Sequence, residues 1–566
     1  MFATMVSKVK ELHSVFIDLC QFSPNRPTPQ YLKLSEGLGR YWVACLGVFL
    51  AVYLASGCCV HGVMAAPVTM EPTSMIGLRV ADGLSPTQDS QSIQPYLDRV
   101  SRQISQFTLP NGIHFIVMER HQAPVISFLT YVDVGGVDEP DGQTGVAHFF
   151  EHLAFKGTRR IGTRDYGAEK KLLDQLDSLS DRIALAKKSG QTDKVKDLTS
   201  QFEQINGKAA RLTVQNEYGR IVEQSGGVGM NATTSAEATR YFYSFPSNKL
   251  ELWMSLESER FLEPVFREFY EEKEVILEER RTRSENSPIG QMMEAFLQTA
   301  FTVHPYGRPV IGYTDDIRNL TRQDLQRFFA THYIPSQLTM VLVGDVNPST
   351  VQRLATLYFG RYQSKTAVPP LNIIEPPQKE PKEVILKLPS QPWYLEGYRR
   401  PSRRDPDHVV YELMGRILSD GRTSRLYQSL VEQQKVSLAA QGFSGFPGDK
   451  YPNLMLFYSL TAPGKTVAEV AHSLEVEINR LKTELVSSDE LERVKKQAKA
   501  KLLQSLDSNM GMAQLLAEYQ VKTGDWHNVF TELDKIVAVT PLDIQRVAMS
   551  TFRPENRTVG KIVTLP

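Results

Sequence analysis

The spacing of apolar positions changes repeatedly along this chain, and each change marks an element. Ile104 to Leu109 and Ile113 to Met118 read as strands joined by a Pro110-Asn111-Gly112 turn, which is a hairpin signal. Pro124 to Val134 (PVISFLTYVDV) is a third strand, closed by Gly135-Gly136. A helix follows Gly142 and stops near Lys156-Gly157-Thr158. From about Ala168 to Gln224 the chain is polar and helix-favouring. Leu172, Leu173, Leu176, Leu179 and Ile183 recur at helical spacing there, and a Ser189-Gly190-Gln191 break separates them from Val195, Leu198, Phe202 and Ile205. This predicts an antiparallel helical hairpin, read as a solvated excursion, with a cap over a site or a partner-docking surface as the alternatives. Strand-like sequence runs from Gly226 through Phe245, helices cover Leu250 to Phe261 and Glu268 to Arg283, and Leu338 to Val343 (LTMVLV) has the continuous apolar run of a buried strand.

A proline-rich stretch (Pro369-Pro370, Pro376-Pro377, Pro381) then acts as a linker, and the pattern restarts with Glu383 to Leu388. The restart is a duplication. Thr321-Arg-Gln-Asp324-Leu-Gln-Arg327 with His332-Tyr-Ile-Pro335 matches Thr540-Pro-Leu-Asp543-Ile-Gln-Arg546 with Thr551-Phe-Arg-Pro554 at a constant offset of 219 residues. The same offset lays Glu271 to Val275 over Glu490 to Val494. The expected architecture is α+β: two homologous domains, each a mostly antiparallel sheet flanked by helices, with the hairpin (about 168–224) inserted in the first. The expected boundaries are 1–66 leader, 67–100 linker, 101–358 first domain, 359–382 proline-rich linker and 383–566 second domain.

Composition narrows the classes. At 566 residues, with 41% hydrophobic and 23% charged positions, the chain is an ordinary folded protein too long for one core. Lysine plus arginine balances aspartate plus glutamate at 64 each, which argues against a dedicated nucleic-acid binder. The four cysteines, Cys20, Cys45, Cys58 and Cys59, all precede residue 60, so the folded body has neither disulfides nor thiolate ligands. Tyr41 to Leu54 is strongly apolar and leads to Val63-Met64-Ala65-Ala66-Pro67. It is shorter than a spanning helix and reads as a signal-peptide core with cleavage near Ala65 or Ala66, or as a membrane anchor, placing the protein in an exported, extracytoplasmic setting.

The candidate chemistry sits in His148-Phe149-Phe150-Glu151-His152. Two histidines four apart lie one turn apart on one helix face, with the glutamate beside them, a set suited to a zinc ion with a carboxylate next to its water. Histidine and carboxylate must supply the remaining ligand, and the helix Glu271 to Glu279 is its best source. Glu271, Val275 and Glu278 share one face and Glu272 and Glu279 the neighbouring stripe, so spacing leaves Glu278 and Glu279 both open. The second copy has no His-x-x-Glu-His, and Glu278 falls there on Gln497. No Walker or dinucleotide glycine pattern is present.

His148-x-x-Glu151-His152, Asn231-Ala232-x-Thr234, Glu271-x-x-x-Val275-x-x-Glu278, His304-Pro305-Tyr306-Gly307 and the duplication together resemble the insulinase/pitrilysin metallopeptidases, most of all the short bacterial members related to the mitochondrial processing peptidase. The resemblance runs from about residue 100 to the C-terminus. It implies a zinc endopeptidase acting on extended peptides, with His148, His152 and Glu278 as metal ligands, Glu151 as general base and Glu271 as a carboxylate behind the ligands. It also implies an edge strand at Asn231 and Ala232 that pairs with substrate. Two departures stand out. The distance from His152 to Glu278 exceeds the family's usual gap by the length of the hairpin. The family's second domain commonly carries an Arg and a Tyr seven apart that hold the developing oxyanion, and Val431 and Leu438 occupy those positions here. Either another residue substitutes, or the protein is a dimer in which a related, zinc-free subunit supplies the pair. A non-enzymatic peptide-binding relative is the competing class, and such relatives usually lose the metal motif.

Overall fold

The computed structural model describes residues 94–366, 368–369 and 371–565, so the expected leader and most of the 67–100 linker lie outside the described residues. In the first half the elements run α1 (Gln94–Arg102), β1 (Ile104–Thr108), β2 (His114–Glu119), β3 (Val125–Val132), α2 (Val146–Leu153), α3 (Tyr166–Lys188), α4 (Thr192–Leu212), α5 (Glu217–Gln224), β4 (Val228–Thr234), β5 (Thr239–Pro246), α6 (Leu250–Leu262), α7 (Phe269–Arg280), α8 (Pro288–Ala300), α9 (Thr314–Asn319), α10 (Arg322–His332), β6 (Leu338–Gly344) and α11 (Pro348–Phe359). The second half continues with β7 (Lys382–Leu388), β8 (Trp393–Arg400), α12 (His408–Ser419), β9 (Ser437–Phe446), β10 (Asn453–Thr461), α13 (Val467–Thr483), α14 (Ser488–Asp507), α15 (Asn509–Thr523), α16 (Asn528–Ala538), α17 (Pro541–Thr551) and β11 (Arg557–Thr564). Among the described residues no helix is long and apolar enough to cross a membrane.

The protein is α+β, with two mostly antiparallel sheets flanked by helices. The first sheet has the order β1-β2-β6-β3-β5-β4 and the second β7-β11-β8-β10-β9. Among the described strands only β2 with β6 and β7 with β11 run parallel. With β1 set aside, the two orders superpose strand for strand, and β6 and β11 begin 219 residues apart, at Leu338 and Arg557. The duplicated threonines explain why the offset was legible. Thr321 and Thr540 each accept the N–H three residues on and receive a capping-box aspartate, Asp324 and Asp543, so the same local signal starts the same helix twice.

Each half covers the other's sheet. Helix α8 of the first half packs on β11 and β7, where a Cβ at Gly560 would lie 2.8 Å from the Met292 sulfur. In return α15 of the second half packs on β6 and β3, placing Met512, Ala513 and Leu516 in one core with Ile116, Leu129 and Val341. Strand β6 is therefore buried on both faces, which is why its sequence is apolar without alternation.

Two boundaries differ from expectation. The end of the presumed linker is helical: α1 buries Leu97 and Val100 in the core that α15 also joins, so two apolar residues three apart outweigh the polar composition around them. The expected insertion also ends early. Helices α3 and α4 form the hairpin, but α5 returns to the main core, burying Tyr218 and Val222 there.

Candidate functional site

Helix α2 is tightly seated, with every residue but His152 buried. It begins at Gly145, whose φ of 88° favours glycine and whose Cβ would lie 2.5 Å from the Ile311 carbonyl oxygen. The carboxylate of Glu139 accepts the N–H groups of Gly145 and Ala147, both at 2.9 Å, and so caps the helix. Burial pushes Glu139 up to about 8, against those two hydrogen bonds. Phe149 stacks on Phe269 with ring centroids 4.8 Å apart, which ties α2 to α7.

This packing sets the rotation of α7. Phe269 and Ile276 face the core, whereas Val275 is half exposed. The stripe shared with Ile276 carries Glu272 and Glu279, and both meet α2. Glu279 Oε1 lies 3.8 Å from His148 Nε2, and its Oε2 lies 3.6 Å from His152 Nε2. Glu272 Oε2 lies 3.1 Å from His152 Nδ1. Since a carboxylate accepts and does not donate, Nδ1 carries a proton toward Glu272, which directs Nε2 toward Glu279. The ligand-type atoms of His148, His152 and Glu279 all lie within 4.8 Å of one another.

The two glutamates implied by the resemblance are one position off. The Glu278 side chain is 62% exposed and pairs with Arg281, and Glu271 accepts from Asn206 Nδ2 of the hairpin at 2.6 Å. One residue is about 100° of helix rotation, and the burial of Ile276 rather than Val275 chooses the stripe. Glu279 and Glu272 are therefore the carboxylates at the histidines, and Glu278 and Glu271 face outward. The seven-residue spacing of Phe269 and Ile276, matched by Glu272 and Glu279, was the available signal.

Glu151 lies beside His148 on α2, buried, and its Oε2 accepts from Thr234 Oγ1 at 2.6 Å. Burial raises the Glu151 carboxyl above its usual range while the Thr234 hydroxyl opposes the shift. Burial, with the charge of His152, lowers His148 to about 3, keeping a neutral imidazole. For His152 burial pulls downward, but the Glu272 hydrogen bond and the charges of Glu151 and Glu279 outweigh it and raise the group. Behind it Lys156 Nζ pairs with Glu272 and lies 3.0 Å from Glu268. Arg283 Nη1 lies 2.7 Å from Glu279 Oε1.

Asn231 and Ala232 sit on β4, which among the described strands pairs only with β5 and so leaves one backbone edge open. Beyond Thr234 a cavity of about 450 Å³ opens beside His148 and Glu279, and Phe443 and Phe446 of the second half wall it. Val431 packs against the second core and Leu438 lies on β9; neither lines that cavity.

The sequence profile of the insulinase family (peptidase family M16) matches residues 115–173 and 193–314, and that of the peptidase M16 inactive domain matches 319–498. The gap at 174–192 falls in the helical hairpin. The chain is 28% identical over 458 residues to the zinc protease PqqE of Helicobacter pylori, covering 80% of this chain and 90% of that protein. It is 23% identical over 477 residues to the probable mitochondrial-processing peptidase subunit beta of Arabidopsis thaliana, covering 81% and 78%. Among solved structures, a protease from Helicobacter pylori superposes with a TM-score of 0.69 at 25% identity, over 81% of this chain and 99% of that one. The periplasmic protease PqqL of Escherichia coli shares the fold, with a TM-score of 0.62 at 16% identity. Two halves of one fold, the inverted histidine-glutamate helix and matches reaching from Phe115 to Ala498 place the chain in the insulinase family of peptidases, family M16.

Proposed function

We propose that this chain is a zinc-dependent endopeptidase that hydrolyses extended peptides or small unfolded segments. His148, His152 and Glu279 would hold the metal, and Glu151 would act as general base. The observation that carries this reading is the meeting of those three side chains on the α2–α7 seam, with a buried carboxylate and an open strand edge beside them. The donor set fits: two imidazoles and one carboxylate make a three-ligand site of the catalytic kind. Separations of 3.6 and 3.8 Å from Glu279 to the two histidines suit ligands about 2.0–2.2 Å from one ion.

A zinc ion held there supplies a Lewis acid that polarises the scissile carbonyl and acidifies water. The chain's own groups do the rest. The β4 edge takes the substrate as an added strand and brings one peptide carbonyl to the histidines. Thr234 fixes Oε2 of Glu151, which leaves Oε1 to take a proton from the attacking water and return it to the leaving amine nitrogen. Glu272, held by Lys156, orients His152.

The test is zinc stoichiometry together with cleavage of a quenched peptide, with and without chelator. Glu279→Gln is expected to lose zinc and activity, Glu151→Gln to keep zinc and lose activity, and Glu278→Gln to keep both. A wild-type chain that shows no chelator-sensitive hydrolysis either alone or paired with its related subunit refutes the proposal. We also propose that the active form pairs this chain with a related, zinc-free subunit that contributes an Arg and a Tyr. Val431 and Leu438 support this, since neither side chain can donate a hydrogen bond to an oxyanion. Full activity of the monomer refutes it. Export is supported by the apolar Tyr41 to Leu54 stretch and is tested by fractionation with N-terminal sequencing.

A further inference from the structure

The second half holds none of the candidate metal ligands, yet it reaches the connection that follows Thr234, the residue bound to Glu151. Resting on the function proposed above, we infer that Lys522 is a positioning residue: through Glu237 it fixes the end of β4 and so holds Thr234 against Glu151.

Glu237 lies in the short connection between β4 and β5, three residues past Thr234, and is 3% exposed. Its carboxylate gathers three donors. The Tyr306 hydroxyl and the Lys450 backbone N–H, at 2.7 Å, bind Oε1, and Lys522 Nζ lies 3.2 Å from Oε2. Two of the three come from the second half. Gly448 passes so close that a Cβ there would lie 2.2 Å from Glu237 Oε1, so the backbone itself walls the carboxylate in. Lys522 is buried too, on α15, and also pairs with Asp449.

The connection has little slack with which to absorb a shift. Gly136 N–H donates to Ser235 O at 3.1 Å, Val137 N–H to Ala236 O at 2.8 Å, and Ser235 N–H to Ala238 O at 2.8 Å. A Cβ at Gly135 would lie 2.5 Å from Ser235 O, so this backbone is packed against its neighbour. A displacement of Glu237 therefore passes to Thr234, which is itself buried and holds Glu151 at 2.6 Å. Misplacing a catalytic group by about 1 Å costs on the order of 10²-fold in rate. The exchange of helices between sheets thus brings a cation of the half without candidate ligands to the loop that begins after Thr234, whose hydroxyl binds Glu151.

The experiment compares Lys522→Met, Lys522→Arg, Thr234→Val and the Thr234→Val/Lys522→Met double variant in full-length protein with its partner, if it requires one. The expected result is that Lys522→Met lowers kcat roughly 10–100-fold, with KM within about twofold and zinc content unchanged. Lys522→Arg recovers part of the loss, and the double variant is no slower than Thr234→Val alone, because both changes release the same contact. An unchanged kcat in Lys522→Met, or losses that multiply in the double variant, overturns the inference. Should Lys522→Met not fold, Glu237→Gln/Lys522→Met removes the ion pair together; the same loss of kcat supports the inference and an unchanged kcat overturns it. A wild-type enzyme that hydrolyses nothing overturns the proposed function and this inference with it, whereas wild-type turnover matched by the Lys522 variants overturns this inference alone.

Discussion

Replacing Glu272 by glutamine, with Glu271→Gln as its control, tests the rotation of α7 on which the site depends. In the structure Glu272 joins the helices twice, accepting from His152 Nδ1 at 3.1 Å and pairing with Lys156 Nζ. Glutamine keeps the shape and an acceptor oxygen but loses the charge that raises His152 and holds its tautomer. Changing a carboxylate behind a metal-bound histidine typically costs 10–100-fold in metal affinity, or about 1.4–2.7 kcal/mol. Lys156, left facing Glu268 alone, adds a smaller penalty in its partly solvated position. Glu271 instead meets only Asn206 on the hairpin, so Glu271→Gln should leave the affinity within about twofold. Competition against a chromophoric zinc chelator measures both. Weakened affinity in Glu271→Gln with none in Glu272→Gln refutes the assignment of the stripes.

Further outcomes follow from other contacts. Glu375 receives the backbone N–H groups of Thr302, Val303 and His304 at 2.7–2.8 Å, and although burial alone would raise it, these bonds hold it down to about 2. Its contribution, about 2 kcal/mol near neutrality, is present above the unfolded carboxyl value and lost as pH falls through the folded one. The gap in urea midpoint between wild type and Glu375→Gln should therefore close between about pH 5 and pH 2. Arg267 and Glu169 are buried together at 2.8 Å, and Arg267 also binds the carbonyls of Lys156, Thr158 and Ile161 in the segment after α2. Arg267→Met should cost about 3–5 kcal/mol by chemical denaturation, because Glu169 is left buried without its partner. Gly145→Ala forces a left-handed φ and a 2.5 Å contact with Ile311 O, and a loss of about 3 kcal/mol in the same assay is expected.

The separation between local and tertiary information is visible residue by residue. His148, Glu151 and His152 were legible because their relation is fixed within one turn of helix, whatever surrounds it. The duplication was legible because Thr321 and Thr540 start their helices by contacts spanning three residues. The two sheets followed from strand periodicity once the repeat was seen. The choice between Glu278 and Glu279 was not local. Both lie on one helix, and only the burial of Ile276 against the core turns Glu279 inward. Helix α1 was hidden for a similar reason, since Leu97 and Val100 acquire meaning only from a core shared with α15. The crossing of α8 and α15 onto opposite sheets left no mark in either helix alone, because an apolar face does not name the surface that will cover it. That crossing brings Lys522 to Glu237. The sequence by itself determined which residues could hold a metal and a proton, through spacings set by the geometry of one helix. Tertiary packing alone decided which glutamate faces them and which distant side chains come near them, because rotation about a helix axis and pairing across hundreds of residues are fixed by what is buried.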